Sequence, residues 1–146
     1  MLLSTDSVQA QMRGSRNERR SDRRWGNTNK RAVENLIKRV ENRTDNFKDQ
    51  VDRALDHSRL DGSRREDNIN ELAKRFESAT DELRREFDRS DSLRENRDEV
   101  QRMVSAASNV NRALRRSRLG NGVQNSWRIL RNEVNALARV YGVRGV

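Results

Sequence analysis

The chain has no cysteine and no proline, and its 146 residues include only three phenylalanines, two tryptophans and one tyrosine. Without cysteine there can be no disulfide, thiolate metal site or cysteine nucleophile, and the redox compartment stays unassigned. So few aromatics speak against a sheet-rich or barrel enzyme, whose cores lean on such residues. Apolar residues are 32% of the chain, about 37% with its seven glycines, against the roughly 45–50% of an ordinary globular domain counted the same way. No apolar run approaches the roughly 18–20 residues of a membrane span.

Charge is abundant instead. Charged residues are 38% of the chain and its net charge is +9. Twenty-eight of the 32 basic residues are arginine, which forks onto carboxylate and phosphate better than lysine does. The charge is uneven: residues 1–31 hold eight basic against three acidic, residues 32–104 sixteen against nineteen, and residues 105–146 eight against one. The middle reads as a solvated helical surface, and both ends read as able to attract anions. Leu, Ile, Val and Phe number thirty, a share just above the one at which disorder becomes the default. What remains open to such a chain is a thin apolar seam along long helices.

The first 28 residues form a basic stretch with almost nothing apolar beyond its start, predicted to be a disordered arm. Within residues 1–10, Val8-Gln9-Ala10 has the small residues of a signal-peptidase site. It reads as the remnant of a secretory signal or as a chance triplet in a leader. From Val33 the pattern changes. Val33, Ile37, Val40, Thr44, Phe47, Val51, Ala54 and Ser58 alternate by four and three, as a heptad seam does. Asp61-Gly62 ends that helix, and Ser63-Arg64-Arg65-Glu66 has the form of a capping box. A second seam runs Ile69, Ala73, Phe76, Thr80, Leu83, Phe87. At Ser90 it loses phase, and a second box, Ser92-Leu93-Arg94-Glu95, opens a third seam of Leu93, Val100, Met103, Ala107, Val110 and Leu114. After Gly120-Asn121-Gly122 a fourth carries Val123, Trp127, Leu130, Val134, Leu137 and Tyr141. The predicted helices are 29–60, 64–90, 92–118 and 123–141.

Facing residues of an antiparallel hairpin have position numbers with a nearly constant sum. Val40 with Leu83, Phe47 with Phe76 and Ala54 with Ile69 all sum to 123, and Leu114 with Trp127 and Ala107 with Val134 to 241. Segments also recur: Leu36 to Phe47 is echoed by Leu72 to Leu83, and Arg53 to Leu60 by Arg112 to Leu119. This is the mark of a duplicated hairpin, or of arginine-rich heptads converging on the same letters. Secondary apolar positions (Leu36, Leu55, Leu72, Ala79, Val104, Ala106, Ala113, Ile129, Ala138, Val140) can join the hairpins internally or pack on another copy. The expected fold is all-α: two antiparallel hairpins in an elongated up-down-up-down four-helix bundle over 29–142.

Signs of catalysis are scarce. His57 is the single histidine, so a two-histidine zinc site or a bundle di-iron site cannot be built. The carboxylates lie mainly outside the seams, where Asp49–Arg53 and Asp81–Arg85 are the expected pairs. No phosphate-cradling loop, nucleophile elbow or calcium loop occurs. No enzyme activity, cofactor or metal is expected. Thr44 and Thr80 face each other in the register and read as polar residues that fix it. One stretch is chemically distinctive. No acidic residue falls between Val100 and Asn132, whereas Arg112, Arg115, Arg116, Arg118, Arg128 and Arg131 flank the second turn. With the arm and Trp25 they could grip phosphates or another acidic polymer. The competing reading pairs them with Asp56, Asp61, Glu66 and Asp67 at the first turn, which an up-down bundle brings to the same end.

Two stretches resemble a known group. Phe47 to Asn70, with Val51-Asp52-Arg53-Ala54-Leu55-Asp56, Ser58-Arg59-Leu60-Asp61-Gly62, Arg64-Arg65-Glu66-Asp67 and Ile69-Asn70, is similar to uncharacterised exported helical proteins of acidobacterial genomes. So is Trp127 to Tyr141, with Leu130-Arg131, Asn135 and Leu137-Ala138. The likeness covers about residues 30–142 and carries no activity. It implies export, periplasmic or extracellular, and favours the signal-remnant reading of Val8-Gln9-Ala10; a cytoplasmic location stays open. The expected function is a non-enzymatic exported structural or protein-interaction module, open to self-assembly as a homo-oligomer. The alternative is a binder of anionic polymers, nucleic acid or acidic polysaccharide, through the second turn and the arm.

Overall fold

The computed structural model describes residues 27–90 and 92–146. The predicted arm, with the suspected signal remnant and Trp25, lies outside them apart from residues 27 and 28. Among the described residues four helices follow one another: α1 Asn27–Asp56, α2 Arg64–Arg89, α3 Leu93–Arg116 and α4 Asn121–Val140. They build a four-helix bundle, and the compact unit that holds it is Val33–Val146.

The seams explain the packing. Ile37, Val40, Phe47, Val51, Phe76, Leu83, Val100, Met103, Ala107, Leu130, Val134 and Leu137 are each at most 2% exposed. Contacts that climb one helix descend its neighbour: Glu41 with Arg84 and Lys48 with Glu77, Arg43 with Glu133 and Gln50 with Ser126, Arg97 with Tyr141 and Asn111 with Trp127. That order makes α1 antiparallel to α2 and to α4, and α3 antiparallel to α4. The segments 57–63 and 117–120 therefore meet at one end. Trp127 joins three helices, with ring centroids 5.3 Å from Phe47 and 6.0 Å from Phe76. Its Nε1–H donates to Asn111 Oδ1 at 2.9 Å.

Helix ends depart from the expected ones for local reasons. α1 starts at Asn27 rather than 29, within the one or two residues by which helix ends vary. It ends at Asp56 rather than 60, because Ser58 turns its hydroxyl onto Leu55 O at 2.8 Å and accepts from Leu60 N at 3.0 Å. Local bonds of this kind compete with the helix ladder, so Ser58 drops out of the seam. Leu55 is fully buried in place of the expected Ala54. α3 stops at Arg116 rather than 118, with Ser117 extended at φ −130°. Gly120, at φ 93°, accepts from Gln124 N, and this opens α4 at Asn121 rather than 123.

The first capping box forms with a shift: Ser63 Oγ accepts from Glu66 N at 3.3 Å, while the Glu66 carboxylate takes the N–H of Gly62. The second does not form. Ser92 makes no side-chain cap, and Glu95 accepts from the Ser90 hydroxyl instead. The break is held by Asn96, a fully buried residue between Leu93 and Val100 in the 4/3 spacing, whose Nδ2 donates to Ser90 O at 2.6 Å.

The bundle also runs past residue 142. Gly142, at φ 63°, closes a Schellman turn with Gly142 N to Arg139 O at 3.2 Å and Val143 N to Ala138 O at 2.9 Å, and Val143 is buried. Asn135 then brackets Val146, donating to its O at 3.2 Å and accepting from its N at 2.7 Å.

Thr44 and Thr80 are buried, but each hydroxyl bonds a carbonyl of its own helix, Val40 O at 2.7 Å and Glu77 O at 2.8 Å. The register thus rests on the apolar seams, not on a threonine pair. Thr44→Val and Thr80→Val are expected to keep the fold and to shift stability by no more than about 1 kcal/mol, read from urea midpoints.

Candidate anion-binding clefts

Two adjoining clefts open where the turns meet. One, of about 430 Å³, lies between α2 and α3 and is lined by Arg65, Asn68, Ile69, Leu72, Asn109, Arg112, Ala113 and Arg116 among others. The other, of about 600 Å³, lies by the turns and includes His57, Arg59, Arg65, Arg116, Arg118 and Leu119. Arg65, Arg116 and Ser117 line both. Arg65 stands in the first turn of α2, where unpaired backbone N–H groups add positive potential. Of the six arginines expected from the sequence, Arg112, Arg116 and Arg118 reach these clefts. Arg115, Arg128 and Arg131 are not among their lining residues.

Arg59 and Arg65 come from the first turn, and sequence reasoning missed them. Its four acids mask them there. The expected up-down bundle already brings the two turns to one end, so the signal was available. His57 is exposed, as expected. Its Nδ1 stands 2.8 Å from Arg53 O; a carbonyl only accepts, so Nδ1 carries the proton.

The expected neutralisation does not occur. Among the described residues, no ion pair joins Arg112, Arg115, Arg116, Arg118, Arg128 or Arg131 to Asp56, Asp61, Glu66 or Asp67. The acids gather with one another instead: oxygens of Asp56, Asp61 and Glu66 lie within 4.8 Å of each other. Three carboxylates could accept a hard divalent cation, although Glu66 already engages an oxygen with Gly62 N–H.

Elsewhere several acids pair with basic residues along and between helices. Arg85 pairs with Glu82 at 2.6 Å rather than with Asp81, and Asp49 and Arg53 form no ion pair. Lys48 joins Glu77 at 2.8 Å, and this hydrogen bond raises the lysine pKa. On α1, Glu41 and Asp45 are pushed above their ordinary values, 4.5 and 3.8, by burial first. Asp81 then adds to the rise at Glu41, as do Glu77 and Asp81 at Asp45, against the opposing pull of Arg84 and Lys48. The folded chain therefore binds these protons more tightly than the unfolded one. Their contribution favours folding at acid pH and declines as pH rises through the carboxylate range. Glu41→Gln and Asp45→Asn should flatten that decline, measured as urea midpoints between about pH 4 and pH 7. Burial pushes the Tyr141 hydroxyl up to about 12, with its hydrogen bond to Asn96 pulling the other way.

Among the described residues no helix is long and apolar enough to cross a membrane. Ile129 and Val140 of α4 stay 43% and 42% exposed, whereas Val104 and Ala138 turn into the core. Compared with protein families, curated proteins and solved structures, the chain matches none.

Proposed function

We propose that this chain is a non-enzymatic helical module, exported from the cell, that binds anionic polymers at the end where its two turns meet. The observation that carries the reading is the convergence of Arg65, Arg112, Arg116 and Arg118 on two shared clefts with no ion pair to the nearby acids. Such a surface gains affinity by releasing counterions from a polyanion, so binding weakens steeply with salt. The test is the salt at which the full chain elutes from heparin and from duplex DNA. Salt-dependent retention on either supports the reading, and passage through both at low ionic strength overturns it. Export is supported by Val8-Gln9-Ala10 and by the likeness of residues 30–142 to exported helical proteins.

A second reading, a structural module that assembles with itself or a protein partner, is favoured by Ile129 and Val140, apolar side chains left in solvent on α4. Sedimentation across concentration checks it. A mass that stays monomeric at high concentration removes self-assembly.

A further inference from the structure

The α2–α3 cleft has a feature that charge neutralisation alone does not use. Its floor is apolar: Ile69 is 3% exposed, while Leu72 and Ala113 are half-buried. The arginines Arg65, Arg112 and Arg116 stand among its walls. A polyanion held only by its charges would leave that floor under water. The volume, about 430 Å³, falls within the roughly 300–1,000 Å³ of small-molecule sites, which pair an apolar lining with a few polar anchors. Ala113 is among the lining residues, so a larger side chain there would crowd this space.

We propose that this cleft binds an amphiphilic organic anion, an acyl or aryl phosphate, sulfate or carboxylate, with its body on Leu72 and Ala113 and its head between Arg65 and Arg116. The proposal rests on the anion-binding reading of the same end and adds what the ligand carries besides charge. Each methylene taken out of water is worth about a fourfold gain in affinity. Two or three of them over this floor would make an alkyl phosphate bind at least tenfold more tightly than inorganic phosphate.

The experiment is calorimetric titration of the full chain with octyl phosphate, below its micelle concentration, and with inorganic phosphate. The expected result is a preference of tenfold or more for octyl phosphate, lost in Ala113→Trp, which fills the cleft, and in Leu72→Gln, which makes its floor polar. Circular dichroism should show both variants as helical as the parent, so that the lost preference reads the cleft and not the fold. Arg65→Ala with Arg116→Ala should weaken both ligands. Co-sedimentation with phosphatidylcholine vesicles containing phosphatidic acid distinguishes the sources. Capture that Ala113→Trp abolishes makes the ligand a membrane lipid, and no capture makes it a free amphiphile. Equal affinity for the two phosphates, or a preference that survives both cleft variants, overturns the proposal while heparin retention keeps the broader reading standing. Loss of heparin retention by the parent removes that reading itself.

Discussion

Phe76→Ala is expected to cost about 3–5 kcal/mol of folding stability, a large part of the roughly 5–15 kcal/mol that holds a typical domain together. Phe76 is fully buried, and its ring meets Trp127 edge-on at 6.0 Å while Phe47 meets the same indole at 5.3 Å. The three rings come from α1, α2 and α4, so removing one opens a space that no single helix can close by shifting. The chain has few large side chains to compensate, with three phenylalanines in all. Thermal and urea unfolding followed by circular dichroism measures the loss. A change under about 1 kcal/mol would mean that these rings do not share a packed core. Thr80→Val, one helical turn away, serves as the contrasting case, since only a local hydroxyl bond is removed there.

The second large effect concerns the basic end. Replacing Arg112, Arg115, Arg116 and Arg118 together by alanine is expected to lower the salt at which the chain leaves heparin or DNA. The slope of log affinity against log salt should flatten by about one for each phosphate that is no longer neutralised. Arg65→Ala alone should rival Arg116→Ala, because both side chains line both clefts. Arg128→Ala and Arg131→Ala should do less, since neither residue lines a cleft. A quadruple variant that elutes with the parent would place anion binding elsewhere on the chain.

Much of the fold could be read from spacing. The seams of α1 and α2 fixed which residues face inward over most of their length, and the phase slip at Ser90 marked a true break between Arg89 and Leu93. Turn chemistry was harder to read. Ser58 and Ser92 each had a plausible helical role, but hydroxyls that can bond either a cap or a nearby carbonyl are decided by the path of the chain around them. Leu55 replaced Ala54 in the core because it lies four residues after buried Val51, on the same helix face. Asn96 fell on the seam spacing but was passed over as polar. Its burial is tolerated because its Nδ2 donates to Ser90 O. The candidate clefts were half legible: Arg112, Arg116 and Arg118 stood out as a run without acids, while Arg59 and Arg65 were hidden in a stretch of mixed sign.

The order of apolar and polar residues by itself determined that the described residues are helical, that they form four helices, and where they double back. Those properties follow from a local repeat, and a repeat is written in neighbouring letters. Only the tertiary structure decided that Val143 and Val146 are tied onto the bundle, that the acids of the first turn cluster together rather than meeting the arginines of the second, and that Arg65 shares a cleft with Arg116. Each of these depends on a distance between segments far apart in the chain, set by how four helices of unequal length settle their ends once their seams are buried.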